Sequence, residues 1–446
     1  MSWHGGSPTA IRVHGNITRA VARALVLVAL VVPGVHAQGA AGDSLTLAAA
    51  LRLARDSSSW FRSADGRRLS QLGRAAEMSQ WPNPTVEWRR ENLGSPLDPD
   101  IFATLYLPVD LTGRRLALRS AGAVARQRAE REWETERREI ELRVARAWVR
   151  AAAARQSTHL LRIQLASLFE VARIEAARVR EGTSAEVSLL RIRIEEERTR
   201  LLAEQAAQEE ARALGALRVA LGWRSADSIR LPALDAPTLP QPLDEVLAVA
   251  MARRNRPEIE GAEAAVREAD ARLRAERRGL TGGDWQLQGG SKQTGGFMTG
   301  QIGLAIPFPI FNRNDAARLR ATGERFEAHA RRDEMHTAIA ADVHAAFVSY
   351  RAFADRATAL PALADQGEVV ARSMRVAWQE GQATLLELID AERIATDAQL
   401  MQLRWFADAW IARLDFERAI GARLDADSPL DLPLRSDAMP PAPANR

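Results

Sequence analysis

The sequence predicts a mainly α-helical protein with a small β part, built from one unit that occurs twice. Residues 44–222 and 243–421 match along their whole length, at an offset of 198 positions near the start and 199 from about residue 81 onward. Long stretches with few helix breakers predict long helices, and short stretches of alternating apolar and polar residues predict strands. Together these observations predict a duplicated unit of long coiled-coil helical hairpins and β-hairpins.

The composition indicates a folded protein rich in helix. The chain has 446 residues, of which 46% are hydrophobic and 26% charged, and this balance excludes an intrinsically disordered chain. Alanine, arginine, leucine and glutamate dominate, and these residues favour helices. Arginines interleave with glutamates, as in EREWETERREIELRVAR at 130–146. Interleaved charges are typical of ion pairs along a helix, so we expect no nucleic-acid partner, which would need a positively charged face.

Residues 1–37 have the three parts of a signal peptide. A positively charged region precedes the apolar stretch ALVLVALVV at 24–32, and Val35-His36-Ala37 supplies a small-residue cleavage site. The positive charges are Arg12, Arg19 and Arg23. A helix over the apolar stretch would rise only about 14 Å, which is too short for a bilayer. The chain has no cysteine, so we expect no lipid-modified N-terminal cysteine, disulfide or thiolate metal site.

The first repeat is predicted over residues 38–222, with a short helix, a medium helix, strands at about 84–112 and a long helical hairpin at about 116–222. Between Leu116 and Arg180 there is no proline and one glycine, so a continuous helix about 98 Å long is possible. Its apolar residues show the 4-3-4 spacing of a coiled-coil seam at Ile140, Val144, Ala147 and Ala151, then Leu161, Leu165, Leu168 and Ala172. The return helix is predicted to continue the seam at Val187, Leu190 and Ile194.

The second repeat, predicted over residues 243–421, follows the same plan. A proline-rich linker at 223–242 precedes it and a proline-rich tail at 422–446 follows it, both predicted to be extended. Its strands are predicted at about 283–311 and its helical hairpin at about 315–421. Pro361 falls inside the first long helix of this hairpin and predicts a kink there.

Each helical hairpin is predicted to reverse at a Glu-Gly pair, where glycine supplies the left-handed C-cap and a following hydroxyl caps the next helix. These predicted tips comprise Glu181, Gly182, Thr183 and Ser184 in the first repeat, and Glu380, Gly381, Gln382 and Thr384 in the second.

The predicted strands alternate strictly. In IFATLYLPVDL (101–111) and QIGLAIPFPIF (301–311) the apolar residues share one face, and an offset of 199 superposes these faces. Val86 and Trp88 likewise lie over Trp285 and Leu287. Alternation of this kind is typical of membrane-spanning β-strands, although an ordinary half-buried hairpin shows it too. Apart from the signal peptide no stretch resembles a transmembrane helix, so the sequence favours the membrane interpretation.

Four strands are too few to close a barrel, because about eight are the minimum. An open edge in lipid would leave backbone groups unsatisfied, so the barrel must be shared between subunits. Three copies would supply twelve strands, with twelve long helices continuing beneath them. A barrel prolonged by a helical tube forms a conduit.

With these features the chain resembles the outer-membrane efflux protein family, the TolC-like ducts. The resemblance covers essentially all of 44–421. It rests on the duplication, on Trp81-Pro82-Asn83-Pro84 before the first strand, on the Glu-Gly tips and on IPFPIFNRN at 306–314. The last motif is similar to the heavy-metal-efflux branch, many members of which carry the lipid-modified cysteine that this chain lacks.

The resemblance implies a homotrimer with a twelve-stranded barrel in the lipid of the outer membrane of a Gram-negative-type envelope. A twelve-helix tunnel would lie in the periplasm. It also implies tips that dock onto a periplasmic adaptor (a membrane fusion protein) and an inner-membrane pump of the RND type that supplies the energy. The chain itself would be a passive exit duct for small molecules or metal ions, without a cofactor or a catalytic site.

Some members of this family gate the periplasmic mouth with acidic rings just after the second tip. The matching positions in GQATLLELID (381–390) are Glu387 and Asp390. They are three residues apart, hence on one helix face, and a trimer would gather six carboxylates that attract cations. The first repeat has Ser188 and Arg191 instead. The alternative is that both acids are solvated helix residues paired with Arg393 or other neighbours.

Other functions remain open. A periplasmic helical-hairpin scaffold or adaptor without its own pore is the main alternative, and a soluble monomer would favour it. His329, His336 and His344 lie along one helix with successive members about 10–12 Å apart, too far to share a metal ion. No catalytic constellation stands out.

Overall fold

The computed structural model describes residues 44–93, 99–223, 229–241, 243–279, 285–357 and 359–434. The predicted signal peptide at 1–37 lies outside the described residues, as does the end of the predicted tail. The described part is mainly helical with one small antiparallel sheet, so the predicted fold class is confirmed at that level.

Two sets of elements follow each other along the chain. The first comprises α1 (Leu47–Ser57), α2 (Ser59–Ser79), β1 (Thr85–Glu91), β2 (Asp100–Val109), α3 (Arg114–Arg180) and α4 (Glu186–Leu221). The second comprises α5 (Glu245–Asn255), α6 (Pro257–Arg278), β3 (Trp285–Thr294), β4 (Phe297–Ala305), α7 (Asp315–Ala354), α8 (Ala359–Gln379) and α9 (Leu385–Ile420). No helix in the described ranges has a segment long and apolar enough to cross a membrane.

The two halves share one four-stranded sheet. Its order is β1-β2-β3-β4 and every neighbouring pair is antiparallel. β2 pairs with β3 over nine residue pairs, from Ile101 opposite Gln293 to Val109 opposite Trp285. The duplication thus produces one continuous sheet whose outer strands, β1 and β4, each leave one edge unpaired in the single chain.

The long helix of the first half is unbroken, whereas that of the second is interrupted. α3 has 67 residues, so it is about 100 Å long. α7 ends at Ala354 and α8 begins at Ala359. The interruption precedes Pro361, which lies in the first turn of α8, where its missing N–H breaks no helical hydrogen bond. The predicted kink is therefore a break between two helices, and it lies a few residues earlier.

The predicted seam is correct on α3 and wrong on the start of α4. Ile140, Val144, Ala151, Leu161, Leu168 and Ala172 are buried on α3. On α4, by contrast, Val187, Leu190 and Ile194 are 60%, 58% and 61% exposed, and Ile192 is fully buried. α4 therefore packs on α3 through a different face and leaves its regular apolar stripe uncovered.

Among the residues that the structure describes, three buried clusters make up the hydrophobic core. One lies around α1, α3 and the end of α4, a second around α5, α7 and the end of α9, and a third between the two helical hairpins near their tips. The described part of the linker lacks helix and strand but is packed, because Ile229, Leu231 and Leu234 are buried in the first cluster. The described tail is packed as well, through Leu430 and Leu432.

Candidate functional site

The sheet carries an apolar face that the single chain leaves exposed. The register places Val86 opposite Leu105, Leu107 opposite Leu287, and Leu287 opposite Leu304. These side chains form one continuous apolar surface across four strands. Val86 is 73% exposed, Leu105 45% and Ile302, two residues from Leu304 on the same face, 84%. A large uncovered apolar surface on a sheet indicates contact with lipid or another protein.

The opposite face of the sheet is polar and internally bonded. The Tyr106 hydroxyl donates to Glu87 at 2.6 Å, and the Gln301 amide donates to the Thr104 hydroxyl at 3.0 Å. Near the β1–β2 and β3–β4 connections, the Arg89 guanidinium lies 4.7 Å and the Lys292 ammonium 5.0 Å from the centre of the Phe102 ring. The sheet therefore has one apolar face and one polar, hydrogen-bonded face.

The first hairpin tip turns over a few residues. Glu181 closes α3 by donating its N–H to the Ala177 carbonyl at 3.0 Å, and Gly182 follows with φ of 77°, a left-handed conformation that favours glycine. The N–H of Thr183 then donates to the Arg178 carbonyl at 2.9 Å. Glu181, Gly182 and Thr183 are exposed, whereas Ser184 is half-buried and its hydroxyl donates to the buried Glu175.

The predicted hydroxyl cap is wrong at the first tip, because the N-cap of α4 is Ala185 and has no side-chain cap. The second tip repeats the turn and does have the predicted cap. Gly381 has φ of 77°, and Gln382 donates its N–H to the Ala377 carbonyl at 2.7 Å. Thr384 is the N-cap of α9: its hydroxyl accepts from the Glu387 N–H, and the Glu387 carboxylate accepts from the Thr384 N–H at 2.7 Å. This reciprocal capping box satisfies two backbone donors. Glu380, Gly381, Gln382 and Thr384 are all exposed.

The two acids predicted at the gate both have local partners. Hydrogen bonds from the backbone and the hydroxyl of Thr384 lower the pKa of the Glu387 carboxyl below its ordinary value. Asp390 accepts from Arg393 at 2.8 Å, one turn further along α9. Both side chains are exposed, while Leu385 and Leu388 on the same helix are buried. The acids thus lie on the outward face of α9.

Sequence reasoning missed the contact that joins the two tips. The Arg178 guanidinium of α3 stacks on the Trp378 ring of α8, 4.6 Å from its centre. Trp378 is 2% exposed and packs in a cluster with Leu168, Ile192 and Leu388. The two hairpins therefore pack on each other at their ends. The pair could have been suspected only from Trp378 itself, an aromatic residue one turn before a glycine tip.

The histidines do not gather. His344 Nδ1 lies 2.8 Å from a Glu245 carboxylate oxygen. Within the described ranges, no three histidine, aspartate or glutamate side chains are close enough to hold a metal ion.

Solved structures of bacterial membrane channels share this architecture. A membrane protein from Pseudomonas aeruginosa is 20% identical, with a TM-score of 0.70 and a match over 84% of this chain and 92% of that one. The outer membrane channel CmeC of Campylobacter jejuni is 15% identical, with a TM-score of 0.68 over 84% of this chain and 85% of that one. The MtrE outer membrane channel of Neisseria gonorrhoeae, in its open state, is 17% identical, with a TM-score of 0.67 over 84% and 88%.

No protein-family model matches the chain, and no curated protein matches it significantly. The structural likeness extends over 84% of this chain in each of these three structures. The resemblance predicted from the sequence is thereby confirmed at the level of the fold. The chain has the fold of the TolC-like outer-membrane channels.

Proposed function

We propose that this chain is the outer-membrane channel component of a tripartite efflux system. It would be a passive exit duct for small molecules or metal ions, driven by an inner-membrane pump. The observation that carries the proposal is the sheet, which has one exposed apolar face and one bonded polar face and lies at the end of a 67-residue helix. Lipid covers such an apolar face, and the polar face then lines a water-filled passage. The likeness to outer-membrane channels supports this assignment.

The working form would be a homotrimer. Four strands cannot close a barrel, and β1 and β4 each have an unpaired edge, whereas three copies provide twelve strands. The uncovered stripe of Val187, Leu190 and Ile194 on α4 provides a second contact surface, since its spacing is that of a coiled-coil seam. Twelve long helices would then continue the barrel as a periplasmic tunnel.

The two exposed tips would contact the other components. They are short and polar, each turns through a glycine with φ of 77°, and the Arg178–Trp378 stack holds them together. A rigid polar surface at the end of the tunnel suits docking to a periplasmic adaptor. That adaptor would join the channel to a pump of the RND type.

Glu387 and Asp390 would form the acidic ring at the periplasmic mouth. Both are exposed on one face of α9, close to the second tip, and a trimer would hold six such carboxylates. Their contacts in the single chain, the capping box and the Asp390–Arg393 pair, are compatible with a ring and also serve the helix itself. Glu387 and Asp390 would therefore both stabilise the start of α9 and form the acidic ring.

The function is tested by location and conductance. The full chain would be expressed in a Gram-negative host that lacks its own export duct, and its outer membranes would be separated from the soluble fraction. We expect a detergent-stable trimer in the outer membrane that forms water-filled channels in planar lipid bilayers. A soluble monomer in the periplasm would contradict the proposal and favour a scaffold or adaptor without a pore.

The acidic ring is tested by removing charge while keeping the helix cap. Glu387→Gln can still accept from Thr384, so the double variant with Asp390→Asn removes the carboxylates but keeps hydrogen-bonding side chains. We expect higher single-channel conductance and block by polyvalent cations weakened by at least about threefold. Glu181→Gln, at the exposed first tip, is the control and should leave cation block unchanged. If the double variant behaves as wild type, these acids only cap and solvate α9.

A further inference from the structure

A groove of about 770 Å³ lies between α3 and the last turns of α4. Its floor is small and apolar, being lined by Ala147 of α3 and by Ala213 and Ala220 of α4. Val219 lines the groove too, and the Trp60 indole donates to the Val219 carbonyl at 3.0 Å, so an aromatic ring lies beside this end. A groove of this volume with an apolar floor is typical of sites for small organic molecules.

Charged side chains form the rim of this groove. They are Arg143, Arg146, Arg150, Arg212, Glu139 and Glu209. Arg146 is paired with Asp415 of α9 at 2.9 Å, and Arg212 is paired with Glu209 at 3.4 Å. Four arginines against two glutamates, with Asp415 behind one of them, leave an excess of positive charge around the apolar floor.

Two of these arginines have no acidic partner among the residues that the structure describes. Arg150 makes no hydrogen bond or ion pair with any of them, and Arg143 only stacks on Trp60, 5.1 Å from the ring centre. Both arginines are exposed, and they lie about 10 Å apart on one face of α3. A guanidinium group presents its donors in a plane that suits a carboxylate or a sulfonate. These two side chains can therefore bind an anion without breaking an existing ion pair.

The groove opens away from α1. Arg55 of α1 donates to Glu141 of α3 at 2.8 Å, and the Trp148 indole donates to the chain just before α1 at 2.8 Å. Arg143 and Arg150 each come two residues later, which is about 200° further around the helix. If α3 forms part of a tunnel wall, the passage must stay clear, so the side covered by α1 is the outer one. The groove then faces the passage, a step that rests on the proposed function.

The second half lacks this basic groove. At the duplication offset of 199, the positions of Arg143, Arg146, Arg150 and Arg212 are taken by Asp342, Ala345, Ser349 and Ile411. The excess of positive charge is therefore not a general feature of the repeated unit. A trimer would have three separate basic grooves on its inner wall and not a continuous basic ring.

We propose that this groove binds an amphipathic organic anion. Arg143 and Arg150 hold its carboxylate or sulfonate group, and its apolar body covers Ala147, Val219 and the exposed part of the Trp60 ring. Removal of this apolar surface from water adds affinity that a purely inorganic anion would not gain. An organic cation of the same shape would meet the arginines and be repelled. The groove thus gives the proposed duct a preference for one chemical class of cargo.

Three probes separate the parts of this site in titration calorimetry of the full chain in a non-ionic detergent. Naphthalene-2-sulfonate has both the acid group and an apolar body, methanesulfonate has only the acid group, and naphthylmethylammonium has the body with the opposite charge. We expect naphthalene-2-sulfonate to bind at least about tenfold more tightly than either of the others. Equal binding of methanesulfonate would contradict the role of the apolar floor. Equal binding of the ammonium ion would contradict the role of the arginines.

Variants locate the binding in the groove. Arg143→Gln with Arg150→Gln should weaken binding of naphthalene-2-sulfonate at least about tenfold, because both charged donors are lost. Arg150→Gln alone serves if the double variant folds poorly, since Arg150 bonds to no described residue, and should weaken binding at least about threefold. The matched control, Arg173→Gln with Arg198→Gln, removes two exposed arginines elsewhere on α3 and α4 and should bind as wild type does.

Planar bilayers distinguish failure of the groove from failure of the proposed function. We expect naphthalene-2-sulfonate to reduce the current through wild-type channels reversibly and to have at least about tenfold weaker effect on the double variant. If wild-type channels conduct and the sulfonate binds the double variant as tightly as wild type, the groove is not its site, while the channel stands. If the chain is a soluble monomer that binds the sulfonate through these arginines, the groove stands and the duct fails.

Discussion

Asp342 shows how a single carboxylate ties the second half together. It accepts from Arg256 at 2.5 Å and from Arg418 at 2.7 Å, and so links the junction of α5 and α6 to α7 and the end of α9. Arg256 is only 8% exposed. The equivalents in the first half are Ser58 and Arg143, and Arg143 stacks on a tryptophan there. The same fold position is thus held by an ion network in one half and by an aromatic contact in the other.

The environment of Asp342 makes stability depend on pH. Burial raises the pKa of its carboxyl, but hydrogen bonds and attraction from Arg256 and Arg418 outweigh burial and hold the pKa below its ordinary value. Because the folded pKa is below the unfolded one, the carboxylate stabilises the fold above the unfolded value of about 4. This contribution is lost as the pH falls through the folded pKa.

Asp342→Asn should lower the free energy of unfolding at pH 7 by about 1–3 kcal/mol, because two arginines lose a charged acceptor. Thermal unfolding in detergent, followed by circular dichroism from pH 7 to pH 3, would measure it. The deficit should begin to shrink below about pH 4, where the unfolded chain takes up the proton, and should vanish only below the lower folded pKa of wild-type Asp342. Glu170→Gln, which removes an exposed pair with Arg173, should leave the unfolding temperature unchanged. A deficit that is constant with pH would show that the charge is unimportant.

At the scale of elements, sequence periodicity predicts that a helix exists better than it predicts which face is covered. The length of α3 follows from the lack of breakers, and the tips follow from glycines that need a left-handed conformation. The buried face of α4 does not follow. Val187, Leu190 and Ile194 have the regular spacing, yet Ile192 is the residue that packs on α3. Both faces contain apolar residues, and only the three-dimensional position of α3 decides between them.

Likewise, the pairing of β2 with β3 and the Arg178–Trp378 stack join residues far apart in sequence. Alternation identifies each strand and its apolar face, but it carries no information about the order of strands. A cation–aromatic contact leaves no spacing signal at all. For this reason the candidate site was predictable as two tips and a set of strands, and not as one connected structure.

Leu190→Glu with Ile194→Glu should prevent trimer formation while leaving the single chain helical. Both side chains are exposed in the chain, so the charges meet solvent there but would be buried in a coiled-coil contact between copies. Size-exclusion chromatography with light scattering would give the oligomeric state, and circular dichroism the helix content. Leu190→Met with Ile194→Leu keeps the stripe apolar and should remain trimeric. A charged variant that still forms trimers would show that this stripe faces lumen or solvent.

At the scale of the whole molecule, the last described segment closes the fold. Leu430 and Leu432 complete the core of the first half, although they follow the second. The same segment provides hydrogen-bond partners for two charged side chains that are fully buried on α9. Asp425 accepts from Arg413 at 2.5 Å, and Ser428 donates to Glu417 at 2.5 Å. The predicted tail therefore acts as a structural strap. Its proline content suggested an extended connector, and the buried leucines between the prolines determine its packing.

Ending the chain at Gly421 should destabilise it strongly. Loss of the Leu430 and Leu432 burial alone would cost about 3–6 kcal/mol, and Arg413 and Glu417 would lose partners inside the protein. Limited proteolysis and thermal unfolding would report the loss, first in the core of the first half. The matched control ends at Leu434 and keeps every described contact of the strap. Equal stability of the two truncated chains would contradict this role.

The break between α7 and α8 makes the two halves unequal as mechanical parts. α3 is one continuous helix whose backbone hydrogen bonds run unbroken from the sheet to the tip, so a displacement at one end is transmitted to the other. In the second half the equivalent helix is divided into α7 and α8. There the unbroken helix that connects the tip to the base is α9, from Leu385 to Ile420. A displacement at the second tip is therefore transmitted mainly along the helix that carries Glu387 and Asp390.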